Sequence, residues 1–77
     1  MSKVIVYSTD TCPFCTMAKD FLKQNNIEFT AHNVAAEPEK LKEMTQKSGQ
    51  TGVPVIEIDG KIIVGFDEMK IKQALGL

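Results

Sequence analysis

Val4, Ile5, Val6 and Tyr7 form an unbroken β-rich apolar run, and six residues past its end Pro13 opens a segment whose apolar residues recur every three or four positions. A strand apolar on both faces sits in the middle of a sheet. Phe14, Met17, Ala18, Phe21 and Leu22 line one side of the following segment, with Lys19, Asp20, Lys23 and Gln24 between them. That is an amphipathic helix with proline at its favoured first position. A strand passing directly into a helix implies a crossover to a second, parallel strand. Ile27, Phe29 and Ala31 supply it, alternating with Glu28, Thr30 and His32, which predicts a half-buried strand 2.

Pro38 after Glu37 predicts a second helix, with Leu41, Met44 and Thr45 turned inward and Gly49 closing the segment. Asp59-Gly60 separates Val55, Ile56 and Ile58 from Ile62, Ile63 and Val64, with Lys61 opening the second run. Such a two-residue connection supports a type I′ hairpin, whose turn residues both take positive φ. Asp67 then caps a short helix through Leu75, terminated by Gly76, with Phe66 and Ile71 as the two halves of a hydrophobic staple. The order is βαβαββα. It predicts an α/β fold, a mixed four-stranded sheet with helices on both faces, forming a single domain over residues 1–77.

At 77 residues such a domain buries only about 60% or a little more of its unfolded surface, enough for one modest core and one compact site. The formal net charge of -1 supplies no basic field for phosphate backbones, so nucleic acid is not an expected partner. Polar residues interrupt the first apolar run at once, unlike a secretory signal, and no apolar run approaches the roughly 20 residues that span a bilayer. A cytoplasmic protein with no membrane partner is the expectation. Its two cysteines stand three positions apart, and a disulfide between them would staple almost none of the chain. Their role is therefore chemical.

Cys12-Pro13-Phe14-Cys15 falls where strand 1 gives way to helix 1. Cys12 then occupies the N-cap, where unpaired amides and the helix dipole favour its thiolate, and Cys15 lies inside the first turn. Cys12 is the expected nucleophile, and Cys15, less exposed and within bonding reach, the resolving thiol. Pro13 has no N–H to donate to the sulfur but fixes φ for the helix start. The same spacing makes half of many zinc sites, yet zinc needs four ligands and only the distant His32 remains as a good candidate, so no metal site is expected. His32 reads as an exposed residue without a catalytic role. Phe14 is either an apolar contact beside Cys12 or part of the core, Tyr7 packs beneath the site, and the four methionines read as core filler.

Cys12-Pro13-Phe14-Cys15, followed about forty residues later by Thr51-Gly52-Val53-Pro54 ahead of a hairpin, resembles the glutaredoxin family of the thioredoxin superfamily over essentially the whole chain. The resemblance implies a thioredoxin-like fold, a cis Pro54 facing Cys12, and a Val53 whose backbone meets the substrate. Pro13, Phe14, Thr51, Gly52, Gly65, Phe66 and Asp67 are the further expected substrate-binding residues. The chain departs from the family's pattern in several places. Phe14 stands for the usual tyrosine, Thr9 for a common lysine, Gly52 for a threonine, and Val64-Gly65-Phe66-Asp67 for a segment that often carries Gly-Gly. All nine basic residues are lysines, so no arginine clamps a glutathione carboxylate. The amides at the start of helix 3, around Asp67 and Glu68, still offer an anion-binding end. Gly65-Phe66 also looks like the corresponding segment of NrdH-type redoxins, which draw electrons from thioredoxin reductase.

The expected activity is thiol-disulfide exchange: a glutaredoxin-like oxidoreductase that reduces protein disulfides or glutathione mixed disulfides. No tightly bound cofactor is expected, glutathione being the reductant. The expected partners are glutathione and disulfide-containing client proteins, with thioredoxin reductase or ribonucleotide reductase as alternatives, and the chain acts as a monomer. Two rival functions are an iron-sulfur carrier, with Cys12 of two subunits and two glutathione thiols around a bridging cluster, and a Cu(I) chaperone using both thiols. Pro13 argues against the first. The late hairpin, and Asp10 and Thr11 where such chaperones carry a methionine, argue against the second.

Overall fold

The computed structural model describes residues 3–77. Strand β1 runs Val4–Ser8, helix α1 Pro13–Gln24, strand β2 Thr30–Asn33, helix α2 Pro38–Ser48, strand β3 Val55–Ile58, strand β4 Lys61–Val64 and helix α3 Glu68–Leu75. The strands lie in the order β2-β1-β3-β4. β1 pairs parallel with β2, Val6 opposite Ala31, and antiparallel with β3, Val6 opposite Ile56. β3 and β4 form the predicted hairpin, with Asp59 at φ 50° and Gly60 at φ 87°, the two positive values a type I′ turn requires.

Alternation along the central strands makes two cores. Val4 and Val6 of β1 with Ile56 and Ile58 of β3 meet Ala18, Phe21 and Leu22 of α1 and Ile71 of α3. Tyr7 and Val55 project to the other face and meet Val34 and Met44, the latter from α2. Leu22, Ile56, Ile58 and Ile71 are fully buried, and each such side chain contributes about 1.5–3 kcal/mol relative to exposure. Phe66 packs on the first core with its ring edge toward Phe21, the centroids 5.9 Å apart, beside the buried Ile71 that completes the staple. On the α2 face Lys47 ties the helix to the sheet. Its Nζ donates to the Tyr7 hydroxyl at 3.2 Å and pairs with Glu57 at 2.7 Å and Glu43 at 3.4 Å.

Four expectations are corrected. β2 begins at Thr30, not Ile27, and Ala31 is exposed. The cause is local: Asn26 takes φ 58° and the Ile27 N–H donates back to Leu22 O, so residues 27–29 wrap the end of α1. Ile27 and Phe29 still pack on the core, but from a loop. His32 is not an exposed bystander: its side chain is only 20% exposed, its ring centroid lies 5.7 Å from that of Tyr7, and Nδ1 is 3.9 Å from Glu37. Met44 alone of the described methionines fills core; Met17 and Met69 are exposed, and Met1 lies outside the described residues. Finally, Phe14 and Met17 do not belong to the buried face of α1, which is Cys15, Ala18, Phe21 and Leu22. Cys15 takes the inward position of the first turn, and the helical rotation carries its neighbours outward.

Candidate active site

The site begins where β1 ends. Residues 9–12 cross from the sheet to α1, and Asn33 Nδ2 donates to Asp10 Oδ2 at 2.9 Å, tying this crossing to the end of β2. Cys12 is the N-cap with extended backbone, φ −98° and ψ 110°. Its Sγ accepts the Cys15 N–H at 3.2 Å, so one of the otherwise unpaired amides of the first turn points directly at the sulfur. Pro13, at the first helical position, gives up no bond by lacking its N–H. Cys12 is half-buried and Cys15 is 1% exposed; neither is in a disulfide.

Burial pushes the Cys15 thiol up to about 11, helped by a hydrogen bond and negative charge from Cys12, while a backbone hydrogen bond from Thr9 and the Lys19 charge pull it back. Cys15 is thus a protonated thiol at neutral pH. The two sulfurs are chemically unequal although three residues apart: one caps a helix at the surface, the other lies under it.

Across from Cys12 stands Val53, whose carbonyl lies 3.9 Å from Cys12 Sγ, within range of a weak S–H donation. The Val53–Pro54 peptide is cis. Pro54 is fully buried and its carbonyl accepts the Gly65 N–H at 2.8 Å, so the segment leading into α3 is pinned to the same ledge. The Val53 side chain packs on the core of Tyr7, Val34, Met44 and Val55, which places Tyr7 beneath the site as expected. These contacts bring together Cys12, Cys15, Val53, Pro54 and Gly65. Thr51 and Gly52 are exposed beside them, and Phe14 is 59% exposed two residues from Cys12, settling its open reading in favour of the surface. Phe66 is occupied in the core, and the Asp67 carboxylate accepts the Lys70 N–H at 3.1 Å, capping α3 itself.

Sequence reasoning missed the side chains that bond the loop immediately before Val53. Ser48 Oγ lies 3.0 Å from Gln50 O and 3.4 Å from Gln50 N, and the Gln50 carboxamide in turn bonds both polar groups of Gly52. Side chains that bond backbone two residues on are typical of serine, asparagine and aspartate. Ser48 carried that signal, but Gln50 did not.

A mixed sheet in this order, a dithiol at the start of the first helix and a cis-proline ledge facing it define a thioredoxin-fold redox protein. The family model for glutaredoxin matches residues 4–63, and the chain belongs to the glutaredoxin family. It is 49% identical over 70 residues to a glutaredoxin-like 8.6 kDa protein of the rubredoxin operon of Clostridium pasteurianum, covering 91% of this chain and 93% of that one. It is 36% identical over 76 residues to glutaredoxin 3 of Escherichia coli K12, covering 99% and 92%. Among solved structures, the thioredoxin-like protein BC3987 superposes with a TM-score of 0.88 at 29% identity, over 94% of this chain and 99% of that. Glutaredoxin from Archaeoglobus fulgidus superposes with a TM-score of 0.88 at 26% identity, over 97% and 87%. Among the described residues no helix is long and apolar enough to cross a membrane.

Proposed function

We propose that the protein is a dithiol reductant of disulfides in a reducing compartment, the cytoplasm, with Cys12 as nucleophile and Cys15 as resolving thiol. The observation that carries this reading is the position of Cys12 Sγ, between the Cys15 amide at 3.2 Å and the Val53 carbonyl at 3.9 Å, with the Cys15 thiol buried one turn away. In the first step the Cys12 thiolate attacks one sulfur of R–S–S–R′, forming Cys12–S–S–R and releasing R′S⁻. In the second, Cys15 loses its proton and attacks Cys12 Sγ, closing the Cys12–Cys15 disulfide and releasing RS⁻, which takes up a proton. Two electrons pass to the substrate. Burial is the largest cause that holds the Cys15 thiol up and remains in the mixed disulfide, whereas the charge of Cys12 is removed there.

Glutathione is the proposed reductant, two molecules restoring the dithiol and leaving as glutathione disulfide. Its docking is modest, because the chain has no arginine and Asp67 already bonds one amide of the α3 start. That weakness favours thioredoxin reductase as the alternative donor. Reduction of the Cys12–Cys15 disulfide is assayed with glutathione and its reductase, and separately with thioredoxin reductase and NADPH. Turnover with glutathione is expected. Efficient turnover by thioredoxin reductase with none by glutathione overturns the choice of reductant, and full activity retained in Cys12→Ser overturns the dithiol reading itself.

A further inference from the structure

We propose that Gln50 is a positioning residue for the substrate ledge, a role that rests on the reading of Val53–Pro54 as that ledge. Residues 50–53 lie in neither a helix nor a strand, and they include Gly52, the residue type that loses most backbone freedom on ordering. The Gly52 N–H donates to Gln50 Oε1 at 2.6 Å, and Gln50 Nε2 donates to Gly52 O at 3.0 Å. One carboxamide therefore bonds both groups of one residue, as a neighbouring strand would.

Gln50 is itself anchored. The Ser48 hydroxyl, its proton shared between Met44 O at 2.7 Å and Gln50 O at 3.0 Å, also lies within reach of the Gln50 N–H. Ser48 is the last residue of α2. A relay of side chains, each bonding the backbone two residues on, thus carries the fixed end of α2 to the residue immediately before Val53. It has two consequences. The Val53 carbonyl is held opposite Cys12 before any substrate arrives, and an incoming chain finds both polar groups of Gly52 already taken, so backbone pairing falls on Val53.

The relay also requires glycine at position 52. A Cβ built there would stand 2.7 Å from Gln50 Oε1, closer than atoms in contact approach. The carboxamide is the flexible partner and would be the one to leave, so Gly52→Ala acts by removing the same clamp as Gln50→Ala. The two substitutions are coupled, and their effects do not add.

Pre-reduced wild-type protein, Gln50→Ala, Gln50→Glu, Gly52→Ala and the Gln50→Ala/Gly52→Ala double variant are mixed with a short synthetic peptide containing one disulfide, and single-turnover reduction is followed against peptide concentration. Losing two exposed hydrogen bonds lowers the fraction of chains with a competent ledge and raises the half-saturating concentration about threefold. The limiting rate changes less, because Cys12 and its amide donor are untouched. Gln50→Glu, which can still accept from the Gly52 N–H but not donate to its carbonyl, falls between. The double variant is no worse than either single. Amide exchange at Gly52 accelerates in Gln50→Ala, a readout independent of activity. Unchanged half-saturation and Gly52 exchange in Gln50→Ala, or additive effects in the double variant, overturn the role of Gln50 while leaving disulfide reduction by the wild type intact. Failure of the wild type to reduce the peptide through Cys12 overturns the ledge reading and this one with it.

Discussion

Cys15 ties stability to pH in a way that can be measured. Its thiol rises from an ordinary 9.0 to about 11, chiefly because it is buried. The native state therefore holds the Cys15 proton more tightly than the unfolded chain by about two units, or about 2.7 kcal/mol at 1.36 kcal/mol per unit. The sign follows from which state loses the proton first. Below pH 9 both states carry the thiol and its full contribution to stability is present. Between pH 9 and 11 the unfolded chain deprotonates while the native one does not, and up to about 2.7 kcal/mol is lost. The perturbation is Cys15→Ala, and the assay is urea unfolding followed by circular dichroism from pH 7 to 11 with reductant present. Lysine and tyrosine titrations are common to both proteins and cancel in the difference. The difference between wild type and variant should be constant to about pH 9 and then swing toward the variant. In a Cys12→Ser background the swing shrinks but keeps its sign, since burial, the largest cause, remains. A difference that stays flat from pH 7 to 11 refutes the claim that Cys15 is held protonated by the fold.

Cys12→Ser should abolish thiol exchange, and Cys15→Ser should accumulate mixed disulfides on Cys12, seen by mass spectrometry; equal loss with no trapped species contradicts the division of roles. Lys47→Met removes the partner of Glu57, whose side chain is 14% exposed, and of the buried Tyr7 hydroxyl, and should cost about 1–3 kcal/mol by urea unfolding. Adding Glu57→Gln to that variant should recover part of the loss, because the remaining cost is an uncompensated carboxylate.

Local patterning made the fold legible where burial is regular: Val4 to Tyr7, an unbroken run buried on both faces, the apolar stripe of α1 and the Asp59-Gly60 turn each carry a recognisable signal. It failed at Ile27 and Phe29, because a loop folded back over a helix end buries alternate residues as a strand does, and the distinguishing feature, Asn26 in the left-handed region, has no period. It failed at Met17 for a different reason. Apolar character put Met17 on the helix's inner face, but the inner place in that turn belongs to Cys15, whose small side chain counts for little in a hydrophobic pattern.

The site divides along the same line. Cys12 and Cys15 were legible because the chemistry depends on where a helix starts, and proline marks that start in the sequence. The facing ledge is different: Val53 and Pro54 came from a resemblance, and the side chains that bond the loop before them were invisible to it. Nothing periodic links Ser48, Gln50 and Gly52, whose bonds run between side chain and backbone two residues apart. A loop lacking its own ladder must satisfy its backbone groups some other way. Here the substitution that departs from the family pattern, glycine at position 52, is also the one that makes room for the carboxamide, since a Cβ there would meet it at 2.7 Å. A departure that reads in the sequence as a missing threonine is, in the structure, one half of an internal contact between Gln50 and the backbone of Gly52, immediately before Val53.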